Sequence, residues 1–245
     1  MTIKATPSIG GRALFLLALV LLVLAVSAFC PSIDLAISGL FYESGRGFFL
    51  EDAPPFVLLH WLATLGAWLL ASALLAAVVV TYVRRRTVLG LDAKSWLFLF
   101  LGLLLAPGLI GNIGLKDHWG RARPRQTIQF GGTETFSPAL EPQKVLHKNG
   151  SFIAGDAAFG FYLPSFAYVT RRRRSRVVFA AGITAGALFG FARIVMGSHF
   201  LSDVLYAAAI MLAATAALHA TFYGRKATAS YWRYWLTGTE SEGKA

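Results

Sequence analysis

The sequence predicts an all-α integral membrane protein with six transmembrane helices and both termini in the cytoplasm. Composition, the length of the apolar runs and the placement of basic residues each lead there. Apolar residues make up 56% of the 245 positions and charged residues only 14%. A soluble domain carries about 25% charged residues. Mean hydropathy is +0.59. A bilayer accounts for the shortage, because charges are costly in hydrocarbon. The length suits one domain, residues 1–245. The net charge of +11 would in a soluble protein suggest nucleic acid. Much of it sits in short clusters beside apolar runs, so it reads as topology, and no nucleic-acid partner is expected.

A membrane-crossing helix needs roughly 20 mostly apolar residues. The first run extends from Ala13 to Cys30, behind Lys4 and Arg12. Such a start also fits a signal peptide. No small-x-small cleavage site precedes Pro31 and further spans follow, so it is read as an uncleaved helix. The second run, Phe56 to Val83, stops at Arg84, Arg85 and Arg86. The third, Trp96 to Leu115, contains Pro107 and several glycines. The fourth begins near Ala157, is short, contains Pro164 and stops at Arg171 to Arg174. The fifth covers Val177 to Ala192 and the sixth Val204 to Tyr223. With six spans the arginine clusters and both termini share one side, which the positive-inside rule makes the cytoplasm. The segment from Pro31 to Pro55 faces the other way and is acidic, with Asp34, Glu43, Glu51 and Asp52 against Arg46. Within it, Ile33 to Tyr42 suits a short amphipathic helix on the outer surface. A tail over residues 224–245 holds Tyr231, Trp232, Tyr234 and Trp235, read as a docking segment or, by preference, an interfacial anchor. The single cysteine, Cys30, permits no intrachain disulfide and is read as a packing residue.

One outer loop breaks the charge rule. It carries Lys116, Arg121, Arg123, Arg125, Lys144 and Lys148. Arg193 lies at the outer end of the fifth span, and His199 and Asp203 stand at the mouth of the sixth. Lys116 and Arg123 are seven apart and share a face if their segment is helical. Pro124 places a helix boundary at Arg123. His199 and Asp203 are four apart and can touch on one helix face, where a carboxylate holds an imidazole in one tautomer. Alone, each residue has a bland reading, such as snorkelling for the cations. Together on one face they make an anion site.

The segment from Lys116 to Pro124 resembles the K-x6-R-P motif of the PAP2 phosphatase superfamily, and Arg193 to Asp203 resembles its R-x5-H-x3-D motif. The resemblance implies that His199 is the nucleophile and forms a phosphohistidine, and that Asp203 orients it. Lys116, Arg123 and Arg193 would hold the phosphoryl oxygens. Phosphoryl transfer needs positioning and charge neutralisation more than covalent assistance. Arginines supply this, so no metal and no cofactor are expected. The middle motif, P-S-G-H in the family, reads Ile153, Ala154, Gly155, Asp156 here. Gly155 still lets a backbone amide approach phosphate. Ala154 removes a hydroxyl donor. Asp156 stands where the family has the acid that protonates the leaving group, with His118 and His147 as substitutes.

The site is expected at the outer boundary of a bacterial cytoplasmic membrane, where a lipid phosphate in the bilayer is the natural partner. The stretch Arg123 to Gly132, with Phe136 and the loop to Phe152, resembles the lipid A phosphatase branch. Undecaprenyl pyrophosphate and phosphatidylglycerol phosphate remain alternatives, as does transfer of phosphate to another lipid. The changes at Ala154 and Asp156 keep open a catalytically impaired or non-catalytic lipid-phosphate binder. A transporter fits worst, because the spans hold few ionisable residues; His60, near a helix end, is the clearest.

Overall fold

The computed structural model describes residues 21, 24–25, 28–143 and 150–237. Most of the first apolar run lies outside the described residues, as do His147, Lys144 and Lys148. Helix α1 (Ser32–Gly39) and a two-stranded hairpin (β1 Tyr42–Glu43, β2 Gly47–Phe48) follow the first apolar run. Four helices among the described residues are long and apolar enough to cross a membrane: Pro54–Arg84, Ala93–Lys116, Arg172–Val195 and Leu201–Tyr223.

Helix α2 (Pro54–Arg84) begins with two prolines, whose missing N–H groups cost nothing in a first turn. Its end is set by Arg85 in the left-handed region at φ 49°. Helix α3 (Ala93–Leu103) is capped by Asp92, whose carboxylate accepts the Ser95 N–H at 2.8 Å. The helix then widens into a π-helix, Leu104–Lys116. Pro107 supplies no backbone donor there, and its carbonyl accepts the Asn112 side-chain N–H at 2.9 Å. The remaining helices are α4 (Gly155–Tyr162), α5 (Phe166–Val169), α6 (Arg172–Val195), α7 (Leu201–Tyr223) and α8 (Arg225–Thr237).

The fourth apolar run is not one continuous α-helix. A 3-10 turn, Leu163–Ser165, separates α4 from α5 at Pro164. The first of these pieces starts at Gly155, two residues earlier than the apolar pattern indicates, which puts Asp156 on its first turn. Helices α4 and α6 meet backbone to backbone. A side chain on Gly160 would place its Cβ 2.4 Å from the Gly186 Cα. Close approach of this kind replaces the missing hydrophobic drive between helices in lipid.

The two ends of the bundle differ chemically. At one end α8 folds back under the core. Tyr231 lies against Tyr168, with ring centroids 4.4 Å apart, and Arg176 donates to the Tyr234 and Trp235 carbonyls. The aromatic tail is therefore partly a packed helix. At the other end gather the start of α2, the end of the π-helix, the start of α4, the end of α6 and the start of α7. Helix α1 forms as the sequence suggests, but Asp34 and Ser38 on it are buried. Cys30 is exposed and is no packing residue.

Candidate active site

Met196 to Phe200 link α6 to α7, and His199 is buried in that link. Helix α7 starts only at Leu201, because the Phe200 backbone is extended. His199 thus precedes the helix, and the expectation that it shares a helical face with Asp203 is corrected. Asp203 instead caps the helix, accepting the Phe200 N–H at 2.8 Å. This cap folds the carboxylate back to 3.7 Å from His199 Nδ1. The direct hydrogen bond from Nδ1 goes to the Ser151 carbonyl, at 2.7 Å. A carbonyl only accepts, so Nδ1 carries the proton and Nε2 keeps its lone pair. Burial lowers the His199 pKa to about 4, opposed in part by Asp203. The ring is therefore neutral across the physiological range.

Asp203 is in turn held by Arg121, which the sequence marked only as a cation against the topological trend. Its guanidinium is fully buried. It donates to Asp203 at 2.5 Å, to the Ser202 hydroxyl at 2.8 Å, to Asp34 at 2.8 Å and to the Ser137 carbonyl at 3.0 Å. The Phe200 ring lies under it, 4.4 Å from the guanidinium carbon. Asp34 also accepts the Ser202 N–H, and Ser151 donates its hydroxyl to Asp203. Burial disfavours the Arg121 cation, but Asp203 and Asp34 outweigh it and raise its pKa. Asp34, Arg121, Ser137 and Ser151 form a support that motif spacing does not reveal. A buried carboxylate 87 positions before its arginine leaves no local sequence signal.

The cations of the two motifs converge. The helix ends at Lys116, and Asp117 to Arg123 form a turn with Gly120 in the left-handed region at φ 70°. Arg123 stands on extended backbone before Pro124. The shared helical face expected for Lys116 and Arg123 is thus corrected: a loop, not periodicity, brings them together. Arg123, Asp156 and Arg193 all act electrostatically on Lys116. Burial and the neighbouring Arg193 lower the Arg123 pKa to about 10, so it stays cationic. Gly155 begins α4 beside them; a Cβ there would lie 3.5 Å from Lys116 Nζ and 3.1 Å from Asn112 Oδ1. Three cations and one carboxylate thus meet beside the start of a helix, an arrangement that can hold an anion.

That carboxylate is Asp156. It precedes the fourth apolar run and faces two partners, His60 Nδ1 at 2.6 Å and Arg193 Nε at 3.4 Å. Burial favours its neutral form, but the His60 hydrogen bond and Arg193 outweigh it and lower its pKa. Asp156 is an anion at neutral pH. His118 is exposed and bonded through Nδ1 to the Ile113 carbonyl at 2.8 Å. His147 lies outside the described residues. An open, mostly apolar groove of about 330 Å³ runs from Lys116, Gly155 and Asp156 along Ala67, Trp68 and Leu104.

Comparison with known proteins agrees with this geometry. The chain is 31% identical over 207 residues to the lipid A 4'-phosphatase of Francisella tularensis subsp. novicida (strain U112), covering 80% of this chain and 89% of that protein. It is 32% identical over 197 residues to the lipid A 4'-phosphatase of Rhizobium leguminosarum, covering 74% and 84%. The Rhizobium etli protein of the same name is 31% identical over 198 residues, covering 74% and 76%. No solved structure matches the chain. The PAP2 superfamily model matches residues 95–227, which contain the imidazole, the three cations and the helix start described above, and the chain belongs to that superfamily.

Proposed function

We propose that this protein is a membrane lipid phosphatase that removes the 4'-phosphate of lipid A through a phosphohistidine at His199. The observation that carries the reading is the apolar groove ending on Lys116, Gly155 and Asp156. It suits a molecule with a phosphate at one end and hydrocarbon at the other. Lys116, Arg123 and Arg193 bind the phosphoryl oxygens, and the α4 N-terminus adds backbone donors. His199 Nε2 attacks phosphorus and the sugar oxygen leaves. Water then attacks the phosphohistidine and releases phosphate. The names of the relatives support the monoester on lipid A over a diphosphate. The test is phosphate release by purified protein from a panel of lipid A, undecaprenyl pyrophosphate and phosphatidylglycerol phosphate, with and without EDTA. Release from lipid A at the 4' position, undiminished by chelator, is expected. Release only from another panel member would reject the lipid A reading, and loss in EDTA would reject metal-free chemistry.

The same reading makes residues 1–245 one domain in a bacterial cytoplasmic membrane, with six spans and the site on the periplasmic side. Its support is the separation of the Arg84 and Arg171 clusters from the site end of the bundle. Single-cysteine labelling of intact cells is expected to modify position 132 from outside and positions 85 and 172 only after permeabilisation. Labelling of position 132 from the cytoplasm alone reverses the orientation.

A further inference from the structure

The family motif has its leaving-group acid at the position of Asp156, yet Asp156 here is an ionised carboxylate with no proton to give. A carboxylate accepts hydrogen bonds only. The His60 Nδ1 that sits 2.6 Å from it must therefore be the donor. His60 comes from the second turn of α2, 96 residues away in sequence. Its ring nitrogen Nε2 is left to exchange a proton. A carboxylate at Nδ1 also stabilises the imidazolium, as in other His–Asp pairs. The same carboxylate oxygen lies 3.4 Å from Arg193 Nε, so the ring stands one carboxylate away from a phosphate-binding guanidinium. The His60 side chain is about one-third exposed rather than sealed in the core.

We propose that His60 is the proton donor to the leaving oxygen and that Asp156 is its positioning residue. The pair divides between two helices the role that one histidine plays in the family motif. This rests on the phosphatase reading above. The steps balance. His199 Nε2 forms a bond to phosphorus as the ester P–O bond breaks, and the departing oxygen takes the proton from His60 Nε2. Water then attacks phosphorus, its proton goes to His60 Nε2, and the P–N bond breaks. The enzyme is restored with both rings in their starting states. The charges around the dyad are Lys116 from the π-helix, Arg123 from the loop, Arg193 from α6 and neutral His199, with the Arg125–Glu51 pair beyond Arg193.

A comparison of leaving groups tests this. Full-length wild-type, His60→Gln, Asp156→Asn and the His60→Gln/Asp156→His double variant are assayed over a pH series. The substrates are lipid A and para-nitrophenyl phosphate, whose leaving group departs without a proton. His60→Gln is expected to lose on the order of 10²–10⁴-fold on lipid A and about tenfold at most on the aryl ester. Asp156→Asn still accepts the Nδ1 hydrogen bond but no longer stabilises the cation. It should keep part of its turnover and lose more on lipid A than on the aryl ester. The double variant should regain turnover on lipid A. Equal losses of His60→Gln on both substrates, or none, overturn the proposal. So does an Asp156→Asn form that is inactive on lipid A at every pH, since Asp156 would then be the acid itself. If wild type ignores lipid A but hydrolyses another lipid phosphate, the lipid A reading fails and the same comparison on that lipid decides the role of His60. A wild type inactive on every ester overturns both.

Discussion

Replacing His199 by asparagine is expected to leave a folded, membrane-inserted protein that releases no measurable phosphate from any lipid. The asparagine amide can still donate to the Ser151 carbonyl that receives His199 Nδ1–H at 2.7 Å, so local structure survives. The atom lost is Nε2, and with it the proposed phosphoryl acceptor. Loss of a nucleophile from a covalent mechanism costs on the order of 10⁴–10⁶-fold. Rapid quenching of wild type with labelled substrate should trap an acid-labile phosphoenzyme, and the variant should trap none. On the proposed mechanism the wild-type rate needs the neutral ring. With a pKa of about 4, the His199 limb of kcat/KM falls only as pH drops through that value, below the ordinary imidazole range. Wild-type turnover in the variant would remove His199 from the mechanism.

Arg121→Ala should produce the largest loss of stability of any single substitution in the site. The guanidinium is sealed from solvent, as are the Asp34 and Asp203 carboxylates it bridges. Removing it leaves two buried anions without their cation. Breaking a buried pair in this way costs about 3–5 kcal/mol, or roughly 6–20 °C in midpoint for a chain of this size. Activity should vanish with it, because Asp203 then no longer holds its place beside His199. Arg121→Lys keeps the charge but lacks the planar fork that reaches both carboxylates and the Ser137 carbonyl at once, so it should rescue only part of the midpoint. The double change Arg121→Ala/Asp34→Asn should recover only part of the stability and none of the activity, since Asp203 remains a buried anion without its cation. Thermal unfolding in detergent measures both. An unchanged midpoint in Arg121→Ala would show that the buried pairs carry no stability.

The sequence by itself determined the class of molecule. Long apolar runs, a scarcity of charge and arginine clusters at run ends are local or additive properties, and they survive without coordinates. Two spaced motifs marked Lys116, Arg123, Arg193, His199 and Asp203, and these residues do gather at one end of the bundle. Their local geometry was less readable. Spacings of seven and four suggested shared helical faces, whereas a loop after Lys116 and an extended Phe200 do the positioning. Tertiary structure alone decided the rest. Arg121 looked like one more basic residue of a loop until Asp34, 87 positions away, closed on it. His60 looked like a polar residue near a span end until Asp156, 96 positions away, was found against it. The state of Asp156 was undecidable from the chain, because burial and neighbouring charges push a carboxylate in opposite directions. The outcome depends on distances of a few ångströms between helices far apart in sequence, which no periodicity records.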